Sequence, residues 1–488
     1  MRASFTLNLV VALPLALTAS ACGSSSGSGS GDAGAGTPVV RPDDTAAASR
    51  TACQFARGAM PSDTLGKSTP LDKDIPIQNI VVLMMENHSF DNYFAHLNQY
   101  AKRTDIESAP DTATNPDSSG QPQPRVHAPH LCSLDTDHEW AGTHQEIDNG
   151  QMDGFVKAND GYNQGALPTG STDPALWSGA RAMGWYDESD LPFYYALAST
   201  FAIADHYHAS VPGPTWPNRL FLYSATSFGE THNLVYPSQT AAAFPANVVS
   251  IVDQLEAQHT TWMMYTDASG GFSSLGIVYQ MPGSRWPRNV TGTIADFQAA
   301  AAAGTLPQVS FVDPDMISEL SNGNGQDEHP PGDIQSGQKF ASDIVHALFA
   351  SPQWAHAALF LTYDEHGGFY DHVNPPKACA PDSTPPILGT GDTTQGGFDL
   401  YGIRVPFVVV SPYARKGYVG HHVYDHTSVT RFIQAKFKLP ALTARDANAE
   451  PPMDLFDFTI PGFATPPTIP APTIDPAGLT YCTTTYGG

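Results

Sequence analysis

Short apolar runs alternate with longer amphipathic segments along the chain, and this alternation predicts the secondary structure. Six apolar runs rich in strand-forming residues are predicted as buried strands, at residues 80–85, 201–204, 261–265, 309–312, 358–361 and 405–410. Five segments with helical spacing are predicted as helices, at residues 191–199, 218–227, 248–258, 335–350 and 428–437. Because strands and helices alternate, we expect an α/β fold whose mostly parallel sheet is flanked by helices on both faces.

Changes in composition set the expected domain boundaries. Residues 22–74 are rich in Gly, Ser, Ala, Thr and Asp and predict a flexible tether. Residues 75–450 contain all the predicted strands and helices and are expected to form the folded domain. Residues 451–488 are rich in Pro and Thr and predict an extended tail. Two polar, Pro-rich stretches inside the domain, 103–129 and 380–397, predict long loops.

The amino terminus has the pattern of an export signal, which we assign to residues 1–21. Residues 5–17 are mostly apolar, and small residues then lead to Cys22. A cysteine at this junction, followed by a Gly/Ser run, is typical of a bacterial lipoprotein, whereas Ala19-Ser20-Ala21 also suits release of a free chain. We therefore expect an exported protein, either a cell-surface or outer-membrane lipoprotein or a secreted or periplasmic one. No later run approaches the roughly 20 apolar residues of a membrane span, so the remainder is expected to be soluble.

Two polar clusters directly follow predicted strands and carry groups that bind hard metal ions. Glu86 and Asn87 follow the first predicted strand, and Asp364 and Glu365 follow the fifth. Carboxylate and amide oxygens suit a divalent cation, and ligands in open α/β sheets gather beyond the carboxyl ends of strands. The alternatives are that the first pair caps a helix and that the second pair lies in a solvated turn.

A hydroxyl group stands at the expected start of another helix. The stretch Ser210-Val211-Pro212-Gly213-Pro214 predicts a rigid turn, and Thr215 follows it. The Thr215 hydroxyl is either an ordinary N-cap or a nucleophile favoured by a metal and by the positive end of the helix. Arg219 lies one helical turn further on and could donate two hydrogen bonds to the oxygens of a phosphate. The alternative is that it forms an ordinary salt bridge.

Two histidines in acidic stretches are candidate acids. His138 lies within Asp135-Thr136-Asp137-His138-Glu139, and His329 follows Asp327 and Glu328. Breaking an ester bond to phosphorus expels an alkoxide that profits from a proton, and histidine titrates in the useful range. The chain has 18 histidines, so such neighbours also occur by chance and neither stretch is specific alone.

Charge and cysteine content narrow the classes of partner and site. The 488 residues include 23 Lys and Arg against 48 Asp and Glu, which gives a formal charge of −25 and a pI near 4.8. Such a surface repels nucleic acid, so we expect no nucleic-acid partner. Four cysteines remain after Cys22, at positions 53, 132, 379 and 482, and an oxidising compartment would pair them in one of three ways that the sequence leaves open. Their scattered spacing does not suit a zinc site.

Taken in this order, the motifs closely resemble the bacterial phospholipase C and acid phosphatase family of phosphoesterases, which includes the plant non-specific phospholipases C. The resemblance spans roughly residues 77–437. Four stretches carry it: Val81-Val82-Leu83-Met84-Met85-Glu86-Asn87-His88-Ser89-Phe90-Asp91, Pro212-Gly213-Pro214-Thr215-Trp216-Pro217-Asn218-Arg219, Asp327-Glu328-His329-Pro330 and Thr362-Tyr363-Asp364-Glu365-His366-Gly367-Gly368-Phe369-Tyr370-Asp371-His372.

The resemblance implies an alkaline-phosphatase-like core, a hydroxyl nucleophile and a divalent metal ion whose identity the sequence does not give. Matching positions assign the metal ligands to Glu86, Asn87, Asp364 and Glu365. They assign the nucleophile to Thr215 and the proton donors near the transferred phosphate to His138 and His329. We assign substrate contacts to Arg219, Asp327 and His366. Threonine at the nucleophile position resembles the phospholipase branch, since phosphatase members commonly have serine there.

The favoured function is phospholipase C-type hydrolysis of phospholipids such as phosphatidylcholine through a phosphothreonine intermediate. Membrane contact would come from the substrate and from a lipid anchor at Cys22. One alternative is an acid phosphatase acting on small phosphomonoesters, and another is an inactive, surface-anchored binding lipoprotein. Four aromatic residues near the motifs would either form a box for a choline headgroup or pack in the core: Trp140, Trp185, Tyr186 and Trp216.

Overall fold

A mixed sheet of eight strands lies at the centre of the fold. The computed structural model describes residues 44–233, 249–266, 274, 291–316, 325–389, 392–394 and 396–486, which all lie within one unit, Gly36–Gly488. The strands are β1 (Asn79–Met85), β2 (Ala202–Ala204), β3 (Trp262–Thr266), β4 (Thr291–Thr293), β5 (Val309–Val312), β6 (Ala357–Tyr363), β7 (Phe407–Val410) and β8 (Val419–Gly420). Their spatial order is β8-β2-β7-β6-β1-β5-β3-β4. Only β7 runs antiparallel to its neighbours in this sheet, so the expected mostly parallel α/β fold is confirmed.

All six predicted strands are present in this sheet. Every residue of β1 and β6 is buried, as expected for apolar runs in a sheet covered on both faces. Strand β7 begins at Phe407 rather than at residue 405, because Pro406 has no N–H to donate to a neighbouring strand. Strands β4 and β8 are only three and two residues long, too short to show a pattern in the sequence.

Short strands also form outside the main sheet. The predicted long loop at residues 103–129 contains three of them, Thr114–Pro116, Pro122–Pro124 and Val126–His127. The first two pair with each other, and the third pairs with Gly184–Trp185. This stretch is therefore more regular than its proline content predicts.

The helices of the described residues surround the sheet. The α-helices are α1 (Ala47–Thr51), α2 (Pro61–Thr64), α3 (Phe90–Tyr93), α4 (Leu97–Tyr100), α5 (Trp140–Ile147), α6 (Phe155–Asn159), α7 (Pro192–Thr200), α8 (Thr215–Ser224), α9 (Ile251–Ala257), α10 (Ile294–Ala303), α11 (Ile334–Phe349), α12 (His426–Phe437), α13 (Ala444–Asn448) and α14 (Pro476–Tyr486). Single turns of 3₁₀-helix occur at Asp72–Asp74, Asp148–Gly150, Gln164–Ala166, Pro174–Trp177, Gly179–Met183, Trp354–His356 and Met453–Leu455. Helices α8, α9 and α12 pack as one group and α7, α10 and α11 as another, which gives a helical layer for each face of the sheet.

The five predicted helices are confirmed with shifted starts. Helix α8 begins at Thr215, three residues before its predicted start, because Pro217 is tolerated in a first turn. Helix α9 begins after Ser250, whose side chain forms a capping box with Asp253. Helix α10 was not predicted, since its alanine-rich sequence has little contrast between apolar and polar positions.

The prediction of a flexible tether over residues 22–74 is wrong for the part that the structure describes, from Asp44 onwards. This part contains α1 and α2, and the buried guanidinium of Arg50 forms ion pairs with Asp44 and Glu450. A disulfide then joins Cys53 to Cys379. Composition missed this attachment because its partners lie more than 300 residues away in the chain.

The prediction of an extended tail is also wrong at the carboxy-terminal end. Residues 476–486 form helix α14, and a disulfide joins Cys482 to Cys132. The two disulfides decide among the three pairings that the sequence left open. Within the described residues no helix is both long enough and apolar enough to cross a bilayer. The assigned signal and Cys22 lie outside the described residues, so their roles stay predictions.

Candidate active site

Three neighbouring parallel strands end together and bring polar residues to one edge of the sheet. Strand β1 lies between β5 and β6, and its last residue, Met85, lies beside Tyr363 of β6. The polar residues that follow are Glu86 and Asn87 after β1, Asp364 and Glu365 after β6, and Asp313 after β5. None of these five exposes more than 4% of its surface. The structure therefore brings the four predicted metal ligands together in a buried cluster.

The structural alternatives for these residues do not hold. The helix after β1 is capped by Ser89, whose hydroxyl accepts a hydrogen bond from the backbone N–H of Asn92 at 3.1 Å. Glu86 and Asn87 are therefore not its cap. Asp364 and Glu365 are fully buried, so they do not lie in a solvated turn.

Unpaired oxygens in the cluster fit a divalent cation. Both side-chain polar atoms of Asn87 and Oε1 of Glu365 are buried without a hydrogen-bond partner among the described residues. A buried polar group without a partner is costly, and amide and carboxylate oxygens are the ligands that hard divalent cations prefer. The carboxylate oxygens of Glu86, Asp364 and Glu365 do not all lie within 4.8 Å of one another. The assignment of a divalent cation to this cluster therefore rests on its unpaired oxygens and on its negative charge, not on a complete coordination shell.

Excess negative charge supports the same assignment. Burial raises the pKa of Asp364 well above its usual value, and neighbouring Glu86 and Glu365 add to this rise, although Arg219 opposes it. Burial likewise raises the pKa of Asp313. A divalent cation would offset this electrostatic cost, because it favours the ionised form of every carboxylate near it.

Arg219 contacts carboxylates where the sequence predicted a contact with phosphate. Its Nε donates to Oδ2 of Asp364 at 2.9 Å, its Nη1 to Oδ1 of Asp313 at 3.2 Å, and its Nη2 to the carbonyl of Met85 at 3.2 Å. The side chain is fully buried. All three guanidinium nitrogens therefore bind protein oxygens, and Arg219 ties helix α8 to the strand ends.

Asp313 is a site residue that the sequence analysis missed. It directly follows Val312, the last residue of a predicted strand, so it carries the same signal that identified Glu86. Its Oδ2 accepts a hydrogen bond from the backbone N–H of Ser274 at 2.6 Å, while its Oδ1 faces Arg219. Every acidic residue directly after a buried strand of the sheet should therefore be considered in such a sequence.

Thr215 is the first residue of helix α8 and is 3% exposed. The N-cap of this helix is Pro214, and no side chain caps it, so the alternative that Thr215 is an ordinary N-cap is wrong. Residues four apart lie on the same face of a helix, with Cβ atoms about 5–6 Å apart. Thr215 and Arg219 therefore lie on one face of α8, and Arg219 binds Asp364 at the strand end.

Asn218 holds the turn that carries Thr215. Its Oδ1 accepts from the backbone N–H of Val211 at 3.0 Å, and its Nδ2 donates to the carbonyls of Gly213 at 2.8 Å and Pro214 at 3.1 Å. The turn is proline-rich and has few N–H groups of its own, so a buried amide side chain supplies its hydrogen bonds.

His138 and His329 lie together, with ring centroids 5.5 Å apart. Their Nδ1 atoms lie 2.8 Å from the carbonyl of Thr136 and 2.5 Å from that of Pro330, which leaves each Nε2 for another partner. Although burial opposes it, the negative charges of Glu365 and Asp135 raise the pKa of His138 to about 10. A protonated His138 would suit contact with an anionic phosphate.

Asp327 connects the histidines to the strand ends. Its carbonyl accepts from the backbone N–H of Glu86 at 3.0 Å, and its Oδ1 accepts from the backbone N–H of His329 at 3.2 Å. The structure therefore gives this predicted substrate contact a role in holding the backbone around it. Glu328 points away, into a cage of Tyr93, Tyr194 and Tyr363 hydroxyl groups.

His366, a predicted substrate contact, is buried, and both of its ring nitrogens face carboxylates of the protein. Its Nε2 lies 2.7 Å from Oε2 of Glu146, and its Nδ1 lies 3.5 Å from Oε2 of Glu365. Glu146 is another site residue that the sequence analysis missed. No local signal could find it, because 220 residues separate it from His366.

Two adjacent glycines let these segments approach one another. Gly367 has φ of +66°, and a Cβ there would lie 2.1 Å from the carbonyl oxygen of Asn87. Gly368 has φ of +72°, and its Cβ would lie 2.7 Å from the carbonyl oxygen of Asp137. Only glycine fits both the left-handed backbone and these close contacts. The Gly367-Gly368 pair therefore packs the metal-ligand segments against the loop that carries His138.

The aromatic residues considered for a choline box do not come together. Trp140 packs in a core cluster with Phe398, whereas Trp185 stacks on His96 at 4.0 Å between ring centroids. Tyr186 is buried and packs against Tyr93 at 5.8 Å. The interpretation as core aromatics therefore holds for Trp140 and Tyr186, whereas Trp185 is only partly buried.

The carboxyl edge of the parallel sheet carries buried hard ligands, and helix α8, which begins with a hydroxyl residue, is bound to that edge through Arg219. Such an arrangement suits metal-assisted hydrolysis of phosphate esters. The chain belongs to the Phosphoesterase family, whose sequence profile matches residues 77–440. It is therefore a hydrolase acting on phosphate esters.

Its relatives include several phospholipases C. Non-specific phospholipase C6 of Arabidopsis thaliana is 31% identical over 408 residues, which cover 81% of this chain and 75% of the relative. Phospholipase C B of Mycobacterium tuberculosis is 30% identical over 451 residues, which cover 82% and 81%. Among solved structures, a protein of the alkaline phosphatase superfamily from Vibrio parahaemolyticus aligns with a TM-score of 0.34 and 10% identity, over 72% of this chain and 76% of that one. That similarity is too low to carry a functional argument.

Proposed function

We propose that this chain is a phospholipase C that hydrolyses phosphodiester lipids such as phosphatidylcholine, with Thr215 as the nucleophile. The observation that carries the proposal is the connection between Thr215 and the strand ends. Thr215 begins a buried helix whose next turn is bound to Asp364 through Arg219. We infer that the threonine hydroxyl lies beside the buried cluster of hard ligands, and no side chain caps its helix. The phospholipase C names of the relatives support the choice of substrate class.

Glu86, Asn87, Asp364 and Glu365 would hold the divalent cation that this cluster fits. When bound, such a cation lowers the pKa of a nearby hydroxyl and withdraws charge from a phosphate oxygen. The chain's own residues then determine where the substrate lies. His138, which lies beside His329, would contact the phosphate, and the buried position of Thr215 would limit competition by water.

In the first chemical step, Oγ1 of Thr215, whose hydroxyl proton has passed to solvent, attacks phosphorus in line with the leaving group. The new P–O bond forms as the bond between phosphorus and the glyceryl oxygen breaks, which releases diacylglycerol. Nε2 of His329 or of His138 gives the departing oxygen its proton. The phosphorylated headgroup stays on Thr215 as a phosphodiester until water hydrolyses that bond and restores the hydroxyl. Phosphoryl transfer depends mainly on positioning and on electrostatic stabilisation, which this buried site provides.

Paired chromogenic substrates test the proposal. The chain from residue 23 onwards should hydrolyse nitrophenyl phosphocholine, a diester, with a kcat/KM at least about tenfold above that for nitrophenyl phosphate, a monoester. The reverse preference would identify an acid phosphatase built on the same residues. Activity on neither substrate would favour the interpretation as a binding lipoprotein and would contradict the proposed function.

We also propose that the protein is exported, and its two disulfides support this. Cys53–Cys379 and Cys132–Cys482 would form and persist in an oxidising compartment. The mass of the mature amino terminus tests the proposal and separates its two forms. A diacylated Cys22 would identify a lipoprotein, an unmodified terminus near residue 22 a free secreted chain, and an intact Met1 would contradict export.

A further inference from the structure

Glu146 is a fully buried carboxylate that the proposed chemistry does not use. It lies in helix α5, outside every motif that the sequence analysis identified. A buried carboxylate costs free energy unless a partner compensates it. Its partner is His366, which follows the predicted metal ligand Glu365 directly in sequence.

The imidazole of His366 bridges two carboxylates. Its Nε2 lies 2.7 Å from Oε2 of Glu146, and its Nδ1 lies 3.5 Å from Oε2 of Glu365. Oε2 of Glu365 also accepts a hydrogen bond from the backbone N–H of Gly367 at 2.7 Å. One oxygen of Glu365 is thus engaged by the protein, while the other, Oε1, is buried without a partner among the described residues. The contacts of Oε2 determine which oxygen Glu365 presents to the cluster.

Glu146 is itself held from a second side. Nδ2 of Asn159 donates to Oε1 of Glu146 at 3.2 Å, and Oδ1 of Asn159 accepts from the backbone N–H of Asp137 at 2.7 Å. Asp137 directly precedes His138. Glu146 therefore connects the loop that carries a predicted proton donor to a predicted metal ligand.

We propose that Glu146 is a positioning residue that fixes the orientation of His366, so that Glu365 presents Oε1 to the divalent cation. This inference rests on the proposed cation site. Outer carboxylates that orient the groups around a metal commonly change its affinity by about 10- to 100-fold when they are replaced. Glu146 should act on the affinity for the cation rather than on the chemistry of Thr215, which it does not touch.

Binding of the metal alone tests the proposal without depending on activity. The chain from residue 23 onwards is stripped with a chelator and titrated with Ca²⁺, Mn²⁺ and Zn²⁺ in separate calorimetric experiments. With the ion that binds best, Glu146→Gln should raise the dissociation constant by about tenfold or more. A matched control is Glu107→Gln, since Glu107 also contacts a histidine, His372 at 3.0 Å, but is half exposed. That control should bind the ion as the unmodified chain does.

The thermal unfolding midpoint without metal separates positioning from mere packing. If Glu146 only stabilises the core, Glu146→Gln lowers this midpoint and leaves the dissociation constant within about threefold of the original, which would overturn the proposal. If Glu146→Gln does not fold, Glu146→Asp, which keeps the charge and shortens the side chain, decides by the same comparison.

A second variant distinguishes failure of this inference from failure of the cation site. Glu86→Gln removes a proposed ligand that none of the Glu146 contacts involves. If Glu86→Gln weakens binding and Glu146→Gln does not, only the positioning role is wrong. If the unmodified chain binds none of the three ions, the cation site is wrong and the positioning role falls with it.

Discussion

Replacing Thr215 with alanine should lower the turnover of a phosphodiester by about 10,000-fold or more, because the reaction loses its nucleophile. The fold should survive. Thr215 is at the first helical position and not at the N-cap, and alanine is a good helix former there. We expect a loss of stability of only about 1 kcal/mol. Initial rates on nitrophenyl phosphocholine, together with a urea unfolding curve, would measure both effects.

The matched control is Thr215→Ser, which keeps a hydroxyl group at the same place and should retain most of the activity. Rapid acid quenching followed by mass spectrometry should find the headgroup phosphate attached to the peptide that contains Thr215. The alanine variant should lack this adduct. A Thr215→Ala enzyme that keeps its activity would show that water attacks phosphorus directly and would remove the covalent intermediate from the mechanism.

The parts of the site that sequence predicted best are those carried by local patterns. Glu86 and Asp364 each follow an apolar run long enough to form a buried strand, and parallel strands end at a common edge. Their meeting therefore follows from the fold class and a simple rule about strand ends. Thr215 was found similarly, since the proline-rich turn before it predicts a helix start.

The parts that could not be predicted depend on partners far apart in the chain. Arg219 looked available to a phosphate because nothing local showed that its guanidinium binds Asp313 and Asp364. His366 looked like a substrate contact for the same reason, since its carboxylate partner Glu146 lies 220 residues away. Local sequence reveals which residues reach the edge of the sheet. Which of them face each other there depends on packing between distant segments.

Several charged side chains of the site compensate one another within the protein. Arg219 compensates Asp364 and Asp313, and His366 compensates Glu146, so these cations are used within the protein. The negative charge of Glu365 raises the pKa of His138, and Nε2 of His138 has no backbone partner in the described contacts. In the proposed complex, protonated His138 and the proposed divalent cation would together oppose the negative charge of a phosphate ester.

Replacing a proposed metal ligand should cost more activity than replacing a histidine. Asp364→Asn should lower kcat/KM by about 10,000-fold, because it weakens both the hold on the cation and the orientation of Arg219. Asparagine keeps the volume and avoids leaving a cavity beside the buried arginine, but it removes one of the two carboxylate charges that Arg219 faces. His329→Ala should lower the rate on phosphatidylcholine by about 100-fold, the usual contribution of a general acid.

Two substrates with different leaving groups distinguish the role of Asp364 from that of His329. Nitrophenolate departs without needing a proton, so His329→Ala should have little effect on nitrophenyl phosphocholine and a large effect on phosphatidylcholine, whose glyceryl alkoxide must be protonated. Asp364→Asn should impair both substrates equally, because charge on the phosphate develops with either leaving group. An active Asp364→Asn enzyme would refute the metal assignment. Equal losses on both substrates in His329→Ala would instead assign His329 to phosphate binding, and His138 would then be the residue that protonates the leaving group.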